Sequence, residues 1–356
     1  MPLPGTSQVA CSTPRNRPRL KGDLCGSAAG PLFILREKED VLSLQGARFA
    51  CAVFLIVLGA ACGSDESPAA SSSRPATPSG FPVTVKASNG SVRLPAQPER
   101  VVSLSPTATE MLFAIGAGPQ VVAVDDQSNY PAQAPMTKLS GFEPNLEAIA
   151  GYKPDLVVAA SDTGDLAKGL GALHIPVLIQ EAAVTLDDSY AQLRALGVAT
   201  GHPDGASRTI DTMQRDIHSI LYSTPKPNAS LSVYHELDDT YYSATSETFI
   251  GRVYRAFGLK NIADQAKGSA GDYPQLSSEF IVSADPDLIF LADTKCCHQT
   301  AATVAKRPGW NSISAVRNDH VVPVDDDIAS RWGPRVVDFY RTVAREVTAL
   351  EQSQAA

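Results

Sequence analysis

Two stretches of this chain carry the same pattern. Residues 145–163 read NLEAIAGYKPDLVVAASDT, and residues 277–294 read SSEFIVSADPDLIFLADT. Aligned on Pro-Asp-Leu, Glu147 falls on Glu279, Ile149 on Ile281, Pro154 on Pro286 and Asp155 on Asp287, a constant offset of 132 residues. Each copy predicts a short amphipathic helix, a Pro-Asp break and a buried apolar strand. One repetition at this distance argues for two similar lobes, since a solenoid needs several short periods.

The chain has room for them: 356 residues allow two domains of ordinary size and a sizeable core. An apolar content of 44% and a charged content of 19% are those of a globular protein. A net charge of −8, with no basic run, argues against nucleic acid as a partner. The six cysteines are unevenly placed: Cys11, Cys25 and Cys51, then Cys62, then the adjacent pair Cys296-Cys297. That is no disulfide scaffold.

Phe49–Ala61 is one apolar run of thirteen residues, too short for a spanning helix of about 20 residues. It fits the apolar region of a secretory signal peptide, with Arg48 before it. Leu58-Gly59-Ala60-Ala61-Cys62 resembles a bacterial lipoprotein cleavage box, with Leu58 one position further from the cysteine than usual. The expectation is a leader over 1–61 and a lipid on Cys62; the alternative is an ordinary signal peptide with an incidental cysteine. Because the run lies far from Met1, translation is expected to start later, near Val41. Residues 62–97 begin Ser-, Pro- and Ala-rich and read as a flexible tether, with a short hairpin around Asn89-Gly90.

From Pro98 onward, strands alternate with helices, which argues for parallel sheets covered on both faces. The first lobe is expected over 98–202: strands at Arg100–Leu104, Val121–Val124, Leu156–Ala159 and Pro176–Ile179, and helices after Ser105-Pro106 and over Asn145–Gly151, Leu166–Leu173 and Leu186–Thr200. Ser105 caps the first helix and Pro106 suits its first turn. Asp204–Tyr222 is one continuous helical stripe through Ile210, Met213 and Ile217, so 203–226 is read as a stiff joint. The second lobe follows over 227–332, with strands at Ser230–Leu237, Tyr241–Ala244, Leu288–Leu291 and Val321–Val324. A last helix occupies 333–356. In such sheets ligands sit beyond the carboxyl ends of the strands.

Five segments, in order, resemble the substrate-binding proteins of the cobalamin and iron-chelate import family: Arg100–Glu110 (RVVSLSPTATE), Asn129-Tyr130-Pro131, Asn145–Val158, Tyr273–Glu279 (YPQLSSE) and Ser330–Arg335 (SRWGPR). The likeness runs from Pro98 to the end and is strongest to the cobalamin binders. It implies an α/β fold of two Rossmann-like lobes bridged by a single long α-helix, the class III periplasmic-binding-protein type. It also implies a monomer, tethered by lipid to the outer face of the cell membrane, that hands its ligand to the permease and ATPase of an ABC importer. In this family one exposed glutamate per lobe pairs with permease arginines, and the matching positions are Glu147 and Glu279. A first-turn carboxylate also simply favours a helix dipole, by ~0.3–1 kcal/mol.

A planar chelate needs aromatic walls and a few placed polar groups. The family-equivalent positions are Phe142, Tyr273 and Arg331, with Asp327 and Trp332 beside the last. Ser105, Pro106 and Tyr130 stand at strand ends of the first lobe; Tyr242, Cys296 and Cys297 stand on the second. Gln127 and Ala160 depart from the cobalamin pattern, where tyrosine and tryptophan can stand, and leave room for another corrinoid, a haem or a ferric siderophore. His235 is left unassigned, because a lone strand histidine is more often packed than ligating. Adjacent Cα atoms lie only ~3.8 Å apart, below the usual disulfide range of about 4.4–6.8 Å, so a Cys296–Cys297 ring would be tight. No resident cofactor or structural metal is expected: the six histidines are scattered. A hydrolase reading, with Ser105 and His235 in a triad, lacks a Gly-x-Ser-x-Gly elbow.

Overall fold

The computed structural model describes residues 80–227, 230–266 and 271–355. The leader, Cys62 and the first part of the tether lie outside the described residues. The described residues start inside the segment expected to be tether, with a hairpin of β1 (Val83–Ala87) and β2 (Gly90–Leu94) in which Val85 pairs with Val92. Its loop is Ser88-Asn89, one residue earlier than predicted, and Gly90 supplies the positive φ of 105°. Asn89 explains why this stretch is folded. Its amide donates to Val177 O at 2.9 Å and its side-chain oxygen accepts from Ile179 N at 3.2 Å, pinning the turn to the first sheet.

That sheet contains β3 (Val101–Leu104), β4 (Val121–Asp125), β5 (Met136–Leu139), β6 (Leu156–Ala159) and β7 (Val177–Ile179), all parallel, in the order β5-β4-β3-β6-β7. Helices α1 (Pro106–Ala114), α2 (Leu146–Gly151), α3 (Leu166–Ala172) and α4 (Leu186–Thr200) cover it. Every residue of β3, β6 and β7 is buried, as expected for a parallel sheet sandwiched between helices. Edge strand β5 escaped prediction because only Leu139 of its four residues is buried.

The single helix α5 (Pro203–Ser223) then leads to the second lobe. At 1.5 Å per residue its 21 residues extend about 31 Å. Ile210, Met213 and Ile217 form its buried stripe. It crosses α1 so closely that a Cβ on Gly205 would stand 1.9 Å from the Ile115 carbonyl oxygen, a contact only glycine permits.

The second sheet has the order β11-β10-β8-β9, from β8 (Ser232–Glu236), β9 (Lys260–Asn261), β10 (Leu288–Leu291) and β11 (Val321–Pro323), again all parallel. Its helices are α6 (Phe249–Ala256), α7 (Ser278–Ala284), α8 (Ala301–Val304), α9 (Ser314–Arg317) and α10 (Asp326–Ser330), and α11 (Val336–Ala355) returns to pack on α5. Tyr241–Ala244 is not the strand its residues predict. Tyr242 makes one bridge to Gln275, because the Asp238 carbonyl and side chain turn the chain just before it. No described helix is long and apolar enough to cross a membrane.

The repeat holds down to single hydrogen bonds. Asn145 and Ser277 cap α2 and α7, accepting from Ala148 N at 2.9 Å and Phe280 N at 3.1 Å. Lys153 and Asp285 both turn left-handed, at φ 50° and 45°. The two Pro-Asp aspartates then staple the start of the neighbouring strand: Asp155 accepts from Arg100 N at 2.9 Å, and Asp287 from Ser232 N at 2.7 Å.

Candidate functional site

In each sheet the chain reverses its direction of growth at one place, between β3 and β6 in the first and between β8 and β10 in the second. Crevices form beyond the carboxyl ends of strands at such points. In the first lobe this position is occupied by Ser105 and a buried hydroxyl chain, in which Thr109 Oγ1 donates to Ser103 Oγ and meets Ser128 Oγ, both at 2.9 Å. Ser105 is buried and its Oγ accepts from Ala108 N at 3.3 Å. It is the N-cap of α1. Pro106 follows it as the first helical residue, half-buried.

The second lobe places charge at its reversal point. Glu236, fully buried at the end of β8, receives both amino groups of Arg307 at 2.6 Å and the Tyr234 hydroxyl at 3.2 Å. Arg307 also lies against the stacked rings of Trp310 and Tyr241, 4.5 and 5.3 Å from their centroids. Asp293, two residues past β10, is also buried, and neither of its carboxylate oxygens meets a donor. Burial first, then the charge of Glu236, push Asp293 up to about 8, so it keeps its proton at neutral pH. Sequence reasoning missed this Glu236–Asp293–Arg307 cluster. Its one signal was an acid placed directly after the run LIFLA.

Loops beyond the strand ends join the two lobes. Asp327, in α10, accepts from Asn129 of the first lobe at 2.9 Å, from Lys295 at 2.7 Å and from Arg331 at 2.6 Å. Burial alone would raise its carboxyl, but these donors outweigh that and hold it below the usual range. Arg331 directs four of its five donors at protein: Glu110 at 2.9 Å, Asn129 at 3.0 Å, the Gln127 carbonyl at 3.0 Å and Asp327. Glu110 is buried in α1 and also takes Nε of Arg335 at 2.9 Å. Trp332 donates from Nε1 to Gln192 of α4 at 2.7 Å, and its carbonyl accepts from Ser189. Arg331, Asp327 and Trp332, the positions expected to hold ligand, thus also bind protein. These side chains face first-lobe residues 202, 198 and 140 positions away, and they form the joint between the lobes.

The aromatic residues are differently placed. Phe142, past β5, is 78% exposed; Tyr273 and Tyr242, on neighbouring segments of the second lobe, are 49% and 40% exposed. Among the described residues none of the three stacks on another aromatic ring. Tyr130 is 46% exposed but lies under the Arg335 guanidinium, 4.2 Å from its ring centroid. It borders a separate cavity of about 690 Å³ between α1, α5 and the start of α11, lined also by Phe113, Arg208 and Met213. His235 is fully buried, its Nδ1 2.6 Å from the Tyr254 hydroxyl, and burial lowers it to about 3. It is a neutral core residue. Among the described residues no three His, Cys, Asp or Glu side chains converge as a metal cage.

Glu147 and Glu279 stand in the first turns of α2 and α7, both exposed, and neither has an ion-pair partner among the described residues. Cys296 is exposed and Cys297 half-buried in the loop after β10.

Three comparisons bear on this arrangement. Residues 101–328 match the family described as periplasmic binding protein. The chain is 31% identical over 277 residues to an uncharacterized ABC transporter substrate-binding lipoprotein of Bacillus subtilis, YvrC, covering 75% of this chain and 86% of that one. It is 32% identical over 267 residues to a cobalamin-binding protein of Halobacterium salinarum, covering 72% of each. Among solved structures it resembles the periplasmic vitamin B12 binding protein BtuF of Vibrio cholerae, with 26% identity and a TM-score of 0.58 over 72% of this chain and 98% of that one.

Proposed function

The chain belongs to the periplasmic binding protein family, and from that premise we propose that it is an extracytoplasmic, lipid-anchored receptor that captures cobalamin or a related corrinoid and delivers it to an ABC importer. The observation that carries the ligand class is the set of exposed rings Phe142, Tyr242 and Tyr273, set on both lobes beyond the strand ends. A corrinoid offers a broad, partly apolar face to stack or edge-pack on such rings. Relatives named for cobalamin or vitamin B12 support the same class. Glu147 and Glu279, unpaired and symmetrically placed, suit contact with cationic groups of a permease. The lipid would sit on Cys62.

A second reading, an iron chelate, is favoured by the two half-exposed tyrosines, since phenolate oxygen ligates ferric haem iron in some proteins. Titration calorimetry with cobalamin, cobinamide, haemin and a ferric hydroxamate distinguishes the readings. The corrinoids are expected to bind with Kd below ~1 μM, about −8 kcal/mol. Tight binding by haemin or the hydroxamate alone reverses the order of the readings. No ligand better than ~100 μM removes both.

A further inference from the structure

The loop after β10 is held more firmly than a surface connection requires. The Asp326 carboxylate collects the N–H groups of Thr294 at 2.9 Å, Lys295 at 3.0 Å and Cys296 at 3.1 Å, and the Thr294 hydroxyl at 2.7 Å. The Asp293 carbonyl then accepts from Cys297 N at 3.2 Å and Gln299 N at 3.3 Å, with His298 between them in the left-handed region, φ 55°. Successive side chains of extended chain point to opposite sides. Here the loop turns both onto one side, and the sulfurs of Cys296 and Cys297 stand 2.6 Å apart. That lies between a bonded separation of about 2.05 Å and ordinary sulfur contact.

We propose that Cys296 and Cys297 form a redox modification site, where the two thiols close to a vicinal disulfide ring as a disulfide-bearing oxidant is reduced. The reaction balances as two exchanges. A Cys297 thiolate attacks one sulfur of the oxidant, whose S–S bond breaks and releases one thiolate. The Cys296 thiolate then attacks Cys297 Sγ, forming the ring bond and expelling the second thiolate. The two cysteine protons end on the two released thiols, and two electrons pass to the oxidant.

The surroundings favour this order and outcome. Burial raises both thiols, while hydrogen bonds from Cys296 and from the Asp239 N–H pull Cys297 partly back, making it the readier thiolate. A dithiol whose reduced form is not stabilised as thiolate yields the more persistent disulfide. Cys297 is only partly buried and its neighbour Cys296 is exposed, so a small oxidant reaches the attacking sulfur. The loop also has somewhere to transmit a change, because Lys295 bridges Asp325 at 2.8 Å and Asp327 at 2.7 Å, and Asp327 is part of the joint between lobes.

The test reads thiols and needs no ligand, so its failure is distinct from failure of the corrinoid reading. The full-length protein is equilibrated with oxidised glutathione, denatured, alkylated and cut with trypsin. The peptide Cys296–Lys306 is expected two hydrogens lighter and unalkylated, and dithiothreitol should restore two alkylatable thiols. Closure should be at least about tenfold faster in folded than in urea-unfolded protein, because the native loop holds the sulfurs in attacking geometry. Cys296→Ser should instead accumulate a glutathione adduct on Cys297, having lost the thiol that resolves it. A stable glutathione adduct on the wild-type peptide, two alkylated cysteines after oxidation, or equal closure rates in the two states would overturn the proposal.

Discussion

Replacing Arg331 with methionine distinguishes a joint between lobes from a ligand contact. The substitution keeps much of the side chain's volume and removes its charge. Glu110, whose side chain is 1% exposed, then retains only Arg335, while Asn129, Asp327 and the Gln127 carbonyl each lose a donor. Removing one partner of a buried ion pair costs ~3–5 kcal/mol when the other charge is stranded. Because Arg335 still neutralises Glu110, the expected loss for Arg331→Met is smaller, ~2–3 kcal/mol. Glu110→Gln takes the paired carboxylate from Arg335, while Arg331 keeps Asp327, and should cost ~3 kcal/mol. The double variant should fall short of the sum by ~1–3 kcal/mol, the coupling expected of groups in one network. Urea unfolding measures all three as shifts in midpoint at constant slope. Corrinoid affinity of Arg331→Met should change by less than tenfold, ~1.4 kcal/mol. The reasoning is refuted if Arg331→Met leaves stability within ~0.5 kcal/mol and abolishes ligand binding, for then the guanidinium serves the ligand.

Two further outcomes follow from the site. Asp293 is raised to about 8 in the fold and has an ordinary carboxyl value unfolded. Between about pH 4 and 8 the native state therefore keeps a proton that the unfolded chain releases, and stability falls as pH rises, by at most ~1.4 kcal/mol per unit. Asp293→Asn should flatten that slope and be the more stable protein at pH 8 by ~2–3 kcal/mol; parallel wild-type and variant profiles from pH 5 to 8 would show that Asp293 is not the titrating group. Charge reversal at both Glu147 and Glu279 should abolish cellular uptake and leave the calorimetric Kd within about twofold, with a helix-dipole cost of ~0.3–1 kcal/mol at each site. Undiminished uptake would remove both residues from permease docking.

What could be read from the sequence was what neighbouring residues decide. The repeat gave a cap, a left-handed turn and a strand start at matching positions, because Asn145 or Ser277, Lys153 or Asp285, and Asp155 or Asp287 act within their own unit or on the adjacent strand. The buried strands Leu156–Ala159 and Leu288–Leu291 appear at their predicted bounds for the same reason: continuous apolar runs closed off by Pro-Asp on one side. Partner choice over long separations left no such trace. Arg331 read as a loop arginine free to meet a ligand, yet Glu110, 221 residues earlier, takes it. Arg307 lies 71 residues from Glu236, and only the adjacency of β8 and β10 brings Asp293 to that pair. The same division runs through the proposed function. The acids proposed to meet the transporter, Glu147 and Glu279, lie inside the repeat, so one local rule places both. The rings that would select a ligand lie outside it, Phe142 three residues before the first copy and Tyr273 four before the second, and their offset of 131 breaks the repeat's 132. Docking can thus stay fixed on a duplicated scaffold while ligand choice varies residue by residue on each lobe, which is why the exposed rings, and not the repeat, should be changed first to alter what the protein binds.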